Sequence, residues 1–192
     1  MAVEEVGEDG YVIGVDLLST SPVEGATIII GDITNPKTVE QINQELEGYY
    51  LNCVISDISP RLTGRYDTDQ AISLELSTMV LDAAMPILNP GGSFVTKIFQ
   101  GVGIEGLIEA AKMRFSSVQR FAPTASRSSS SETYLVCRNK LPKIRKEAEG
   151  RTAYEHLKDH LKKLDIVVDY EEEKDNTDTI IGYRKYTGRK NN

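Results

Sequence analysis

Tyr11-Val-Ile-Gly-Val-Asp16 is a short apolar run, rich in β-branched residues, that stops at an acid, and the pattern returns twice. Ala26-Thr-Ile-Ile-Ile-Gly-Asp32 and Cys53-Val-Ile-Ser-Asp57 have the same form. Continuous apolar runs of this length, bounded by turn residues, predict buried strands. Between the second and third, Asn35-Pro36 opens a helix that runs to about Leu46, with Pro in the first turn, where an N–H has no partner to lose. A loop from Ile58 to Asp69 holds Pro60 and Gly64 and precedes a long helix. Ile72, Leu76, Met79, Val80, Ala83 and Ile87 form one apolar stripe on that helix, which Asn89-Pro90-Gly91-Gly92 is expected to stop. A strand at Ser93–Phe99, a short helix from Glu105 to about Arg114, and strands at Val118–Phe121 and Thr133–Val136 around a serine-rich loop follow. Strands alternating with helices, without a hairpin signal until the end, predict an α/β fold with a mainly parallel sheet covered on both faces. In such sheets ligands bind beyond the carboxyl ends of the strands, where Asp16, Asp32 and Asp57 stand. Each aspartate taken singly reads equally well as a turn former; three together are a functional signal.

A chain of 192 residues allows one domain with an appendage. With 40% hydrophobic and 27% charged residues and a mean hydropathy of −0.31, it has the composition of a globular domain. No apolar run approaches the roughly 18 residues of a membrane span, and the acidic start Met1-Ala-Val-Glu-Glu-Val is unlike a signal peptide. Cys53 and Cys137 lie in strand-like runs and read as reduced core thiols of a cytosolic protein, not as a disulfide framework or metal site. The net charge of −7 is unevenly spread: residues 1–57 carry eleven acids and a single base, Lys37, while the remainder is slightly basic. A polyanion would therefore have to meet a local patch rather than a global field.

The chain changes character after Lys140. Residues 142–164 form a highly charged helical stretch with Tyr154, Leu157, Leu161 and Leu164 as a thin apolar stripe. Ile166–Tyr170 and Thr179–Tyr183 suit a hairpin around an acidic turn. Residues 1–140 thus read as one domain and 141–192 as a charged appendage, either docked or partner-binding.

Several familiar chemistries find little support. Gly101-x-Gly103-x-x-Gly106 follows a strand, but the dinucleotide fingerprint needs an acid at the end of the next strand, which here ends near Arg120 and Phe121. His156 and His160 share a helix face without a third metal ligand, and read as exposed helix histidines. Ser128 to Ser131 lack a nucleophile elbow. Lys97 is the oddity, a charge inside the apolar strand Ser93–Phe99, with Asp57 ending a strand that is plausibly adjacent and Glu132 opening the last one. A lysine between two carboxylates is either a structural ion pair or a tuned catalytic amine, and pattern alone leaves both open.

Five collinear segments, Val12-Ile-Gly-Val-Asp-Leu-Leu18, Ile29–Thr34, Val54–Gly64, Gly91–Gly101 and Ser126–Val136, resemble the FtsJ-type, S-adenosylmethionine-dependent ribosomal RNA 2′-O-ribose methyltransferases over about two thirds of the chain. The resemblance implies a Rossmann-like methyltransferase sheet, mostly parallel with an antiparallel last strand. It assigns Asp16 to the ribose of the methyl donor, Asp32 to its adenine end and Asp57 to the neighbourhood of the transferred methyl. Lys97 would be the catalytic base, with Asp57 and Glu132 completing the catalytic set. The implied acceptor is the 2′-hydroxyl of a uridine in large-subunit (23S-type) ribosomal RNA, with RNA and not DNA as partner, in the cytoplasm and away from membranes. Arg61, Arg65 and Arg127 are candidate phosphate contacts, and no metal is implied. A transfer-RNA methyltransferase and an inactive RNA- or ribosome-binding remnant are the alternatives. The family's first tetrad lysine and glycine-rich donor loop have no counterpart among the eleven residues before Val12, so the first strand of the family sheet is expected to be missing. Its loss would leave two strand edges unpaired.

Overall fold

The structure, a computed structural model, describes residues 1–122, 132–165, 167–173 and 181–187. The chain forms two compact units, Met1–Tyr50 and Leu51–Asn192. In the first, helix α1 (Ala2–Val6) precedes strand β1 (Val12–Asp16), which pairs in parallel with β2 (Ala26–Ile30). Helix α2 (Pro36–Glu45) packs on β2 and buries Ile42 and Leu46 with Ile29. Asn35 caps it by accepting the Lys37 N–H at 3.0 Å, and Pro36 fills the first helical position.

The second unit holds a four-stranded sheet in the order β3-β4-β6-β5, from β3 (Leu51–Ser56), β4 (Leu88–Phe99), β5 (Phe115–Phe121) and β6 (Glu132–Lys140). β3 and β4 are parallel, and β6 runs antiparallel to both its neighbours, the strand directions expected of the family. The strands fall into separate sheets in which β1 and β3 are edges. Phe94, Thr96 and Ile98 of β4 face the same way as Leu135 and Cys137 of β6, and all five are fully buried, with helix α3 (Tyr66–Ala84) packed on β4. The alternate residues are less covered: Ile55 is 74% exposed, and Cys53 is exposed beside it. The expectation of a sheet covered on both faces therefore holds for one face of this unit. Cys53 is likewise not a core thiol, because β3 is an edge strand and an apolar run does not report which strands lie at edges. Cys137 is the buried one, and burial pushes its thiol up to about 12.

Helix α3 begins at Tyr66, one turn before its expected start. Asn89-Pro90-Gly91-Gly92 lies within β4 rather than in a break before it. Leu51 pairs with Leu88 but Cys53 with Ser93, so the Pro-Gly-Gly segment is absorbed as a bulge, with Gly91 at φ 83°.

The charged stretch after Lys140 divides into a 3-10 turn at Lys146–Ala148 and helix α5 (Ala153–Lys163). Thr152 and Glu155 form a reciprocal capping box that starts α5. The helix is docked: Leu157 and Leu161 are buried, and it packs against α3 and α4 (Ile104–Lys112). Gly103 and Gly106 of the Gly101–Gly106 motif are explained by this packing, and Gly101 by the approach of Gln70 of α3. A Cβ at Gly106 would lie 3.0 Å from His160 Cβ, and one at Gly103 would meet Leu161 Cδ2 at 2.6 Å. Strands β7 (Val167–Glu173) and β8 (Ile181–Thr187) form the expected antiparallel hairpin.

Asp82 of α3 secures the start of α5 by accepting the N–H groups of Ala153 at 2.6 Å and Tyr154 at 2.9 Å. Burial pushes its carboxyl above the usual range, an effect that these donors and Arg114 only partly oppose. Removing this acceptor leaves two helix N–H groups without a partner. Asp82→Ala is therefore expected to cost about 1–2 kcal/mol, read as a lower urea midpoint with an unchanged m-value.

Candidate active site

Lys97 lies near the carboxyl end of β4, its side chain only 11% exposed. Its Nζ stands 3.2 Å from Asp57 Oδ1 and 3.8 Å from Glu132 Oε1. Strand pairing produces this cluster. Ser56 of β3 sits beside Thr96, so the chain leaves β3 at Asp57 alongside the lysine. Across the antiparallel pair, Glu132 lies opposite Phe99 and Tyr134 opposite Lys97, and the two-residue strand period puts all four side chains on one face. Ser77 of α3 donates its hydroxyl to the Lys97 carbonyl at 2.9 Å and anchors the strand. The structure therefore brings together the three residues expected to act on the acceptor.

Tyr134 was not singled out in the sequence. Its hydroxyl donates to Asp57 Oδ1 at 3.5 Å, the same oxygen that faces Lys97. The alternation Glu132-x-Tyr134 is visible in the chain, but its placement opposite Lys97 depends on strand pairing. Asp69, in the first turn of α3, was also missed. Its Oδ1 accepts the N–H and the hydroxyl of Thr63, each at 2.8 Å, and its Oδ2 accepts the Gly64 N–H at 3.2 Å. Burial pushes this carboxyl up, but the three donors outweigh it and hold it below the usual carboxylate range. The loop so fastened carries Arg61 and Arg65, both exposed. Arg127, the third candidate, lies outside the described residues.

Asp16 and Asp32 come together in the other unit. Asp16 is paired with Ile30, so both aspartates occupy the carboxyl end of the β1–β2 pair. Asp16 Oδ1 accepts the Leu18 N–H at 2.8 Å. Asp32 Oδ1 accepts the Thr34 N–H at 2.8 Å and its hydroxyl at 2.7 Å. Each thus closes a local turn with one oxygen and, among the described residues, leaves Oδ2 without a hydrogen-bond partner.

The histidines are not exposed as expected. Each His156 and His160 side chain is 18% exposed and faces Glu109 of α4, at 3.6 Å and 3.3 Å respectively, because α5 docks on the face they share. Among the described residues no cluster is suited to a metal ion, and no helix is long and apolar enough to cross a membrane.

The architecture is that of an α/β methyltransferase. A solved Plasmodium falciparum chain assigned as a ribosomal RNA methyltransferase superposes with a TM-score of 0.62 at 23% identity, covering 69% of this chain and 73% of that one. A model of FtsJ-like methyltransferases matches residues 1–140, and the protein belongs to that family. Among its curated relatives, ribosomal RNA large subunit methyltransferase E of Methanothrix thermoacetophila is 46% identical over 127 residues, 66% of this chain. The protein of the same name from Francisella philomiragia is 39% identical over 134 residues, 70% of this chain. The chain spans 49% of the first relative and 65% of the second.

A nearly buried lysine beside two more exposed acids is poor material for stability, since desolvating the ammonium offsets much of the attraction. Lys97→Met is accordingly expected to leave the melting temperature unchanged or raise it by a few degrees in a thermal scan.

Proposed function

We propose that this protein transfers a methyl group from S-adenosylmethionine to a ribose 2′-hydroxyl of RNA, with a uridine of large-subunit (23S-type) ribosomal RNA as acceptor. The observation that carries the reading is the Lys97 ammonium held between Asp57 and Glu132 at a strand end, in a chain that belongs to the FtsJ-like family. The relatives named for large-subunit ribosomal RNA support that choice of acceptor. Residues 1–140 form the catalytic domain, and 141–192 an appendage whose helix braces it. The cytoplasm, where ribosomal RNA is at hand, is the proposed location.

The residues present fit the donor. Asp16 and Asp32 each keep a carboxylate oxygen for an outside partner, both at the carboxyl end of the β1–β2 pair, where a nucleoside with vicinal hydroxyls and an adenine amine would offer donors. When bound, the donor supplies an electrophilic methyl group on a sulfonium. The chain must then align the acceptor oxygen and manage one proton. Asp57 and Glu132 aim the Lys97 head group, and Lys97 as the neutral amine would hold the 2′-hydroxyl and take its proton as the oxygen accepts the methyl and the donor's sulfur leaves as a thioether. A lysine acts as a base only in its neutral form, which burial and a nearby cation favour and flanking carboxylates oppose. Alignment is the larger contribution, and a positioned base typically adds about 10²–10⁴-fold.

Calorimetric titration of S-adenosylmethionine into the chain, followed by methyl transfer to ribosomal RNA, tests the reading. Lys97→Ala is expected to lower turnover by at least about 100-fold with donor affinity nearly intact. An equal loss of both overturns the assignment. Arg61→Glu or Arg65→Glu is expected to weaken RNA binding and reduce its salt dependence by about one counterion per lost contact, without changing donor affinity.

A further inference from the structure

The Ile58–Arg65 loop is held from inside by a single carboxylate. Asp69, buried in the first turn of α3, reaches back past the N-cap residue Arg65 to Thr63 and Gly64. This exceeds ordinary capping, in which a first-turn acid returns only to the N-cap N–H. Gly64 at φ 80° allows consecutive N–H groups to converge on one anion, and the Thr63 hydroxyl, itself bonded to Asp69, also receives the Arg65 N–H at 3.2 Å. A buried carboxylate is tolerated only while its donors are in place, so this cluster selects one loop shape over its alternatives.

Two other side chains of the same helical turn hold the segment that follows β4. Tyr66 donates its hydroxyl to the Gln100 carbonyl, and Gln70 Nε2 donates to the Val102 carbonyl at 3.1 Å. Those carbonyls lie in the segment that follows Lys97 and leaves β4. One turn of α3 therefore ties the loop bearing Arg61 and Arg65 to the strand end bearing Lys97. Both arginines are exposed and, among the described residues, make no ion pair.

We infer that Asp69 is a positioning residue: it holds the Ile58–Arg65 loop in the conformation that presents Arg61 and Arg65 to RNA phosphates beside the acceptor ribose. The inference rests on the proposed RNA 2′-O-methyl transfer and adds the device that orders the RNA-contacting loop. Asp69 itself touches neither RNA nor donor.

The test uses Asp69→Asn and Thr63→Val in the full chain, with donor affinity by calorimetry, KM and kcat for ribosomal RNA, and RNA affinity by fluorescence anisotropy over a salt series. Asparagine can still accept from Thr63, but its amide nitrogen cannot accept from Gly64. A loop left competent about one-tenth of the time raises KM and the RNA dissociation constant about tenfold. The expected result is that rise for Asp69→Asn, a smaller one for Thr63→Val, a shallower salt slope, and unchanged donor affinity. Unchanged KM and RNA affinity, or donor affinity falling in step with RNA affinity, would overturn the inference. Should Asp69→Asn not fold, Thr63→Val decides by the same criteria. Should the wild-type chain bind RNA but transfer no methyl, the functional reading fails separately, and the anisotropy comparison still supports or overturns the loop device.

Discussion

An ammonium group held almost out of water has to be matched by negative charge, and the strand order of the second unit supplies it. Lys97 reaches Asp57 because β3 lies parallel to β4, and reaches Glu132 because β6 lies antiparallel on the other side. A parallel strand delivers its last residues at this end of the sheet, and an antiparallel one delivers its first. Swapping either direction would take one carboxylate away and leave the nearly buried cation with a single acidic partner. The mixed sheet is therefore a requirement of the site as much as a feature of the fold.

The helical layer follows from that sheet. Phe94, Thr96 and Ile98 alternate with Lys97, so the face opposite the lysine becomes the face on which α3 packs. Helix α3 does more than cover it. Ser77 anchors the Lys97 backbone, Asp82 receives the start of α5, and the first turn fastens both the Ile58–Arg65 loop and the segment that follows β4. Helix α5 in turn presses on Gly103 and Gly106, where a side chain would intrude. Two of the three glycines in a motif that resembles a nucleotide fingerprint are thereby accounted for as close packing against a helix some fifty residues later in the chain.

The failures of sequence reasoning share a cause. Cys53 and Cys137 sit in equally apolar runs, yet one is exposed and one buried, because edge position is a property of the sheet and not of the strand. His156 and His160 looked like exposed helix residues, since the partner that covers them, Glu109, lies on another helix. Asn89–Gly92 carried every mark of a break, but a bulge against Leu51–Cys53 absorbs it. In the sequence Asp69 marks only the start of a helix, and its hold on Thr63 depends on how the preceding loop turns back.

Periodicity and punctuation in the chain determined most of the order and type of the elements, the strand-end aspartates, and the oddity of a lysine inside an apolar strand. These are local facts, written in neighbours two to four residues apart. Tertiary structure decided which carboxylates reach the lysine, which oxygen Tyr134 shares with it, which face of the sheet is covered, and what the glycines after β4 are for. Those outcomes depend on strand direction and register, where a shift of one residue sends every side chain to the other face. No local pattern carries that information, because it arises only when separate segments meet.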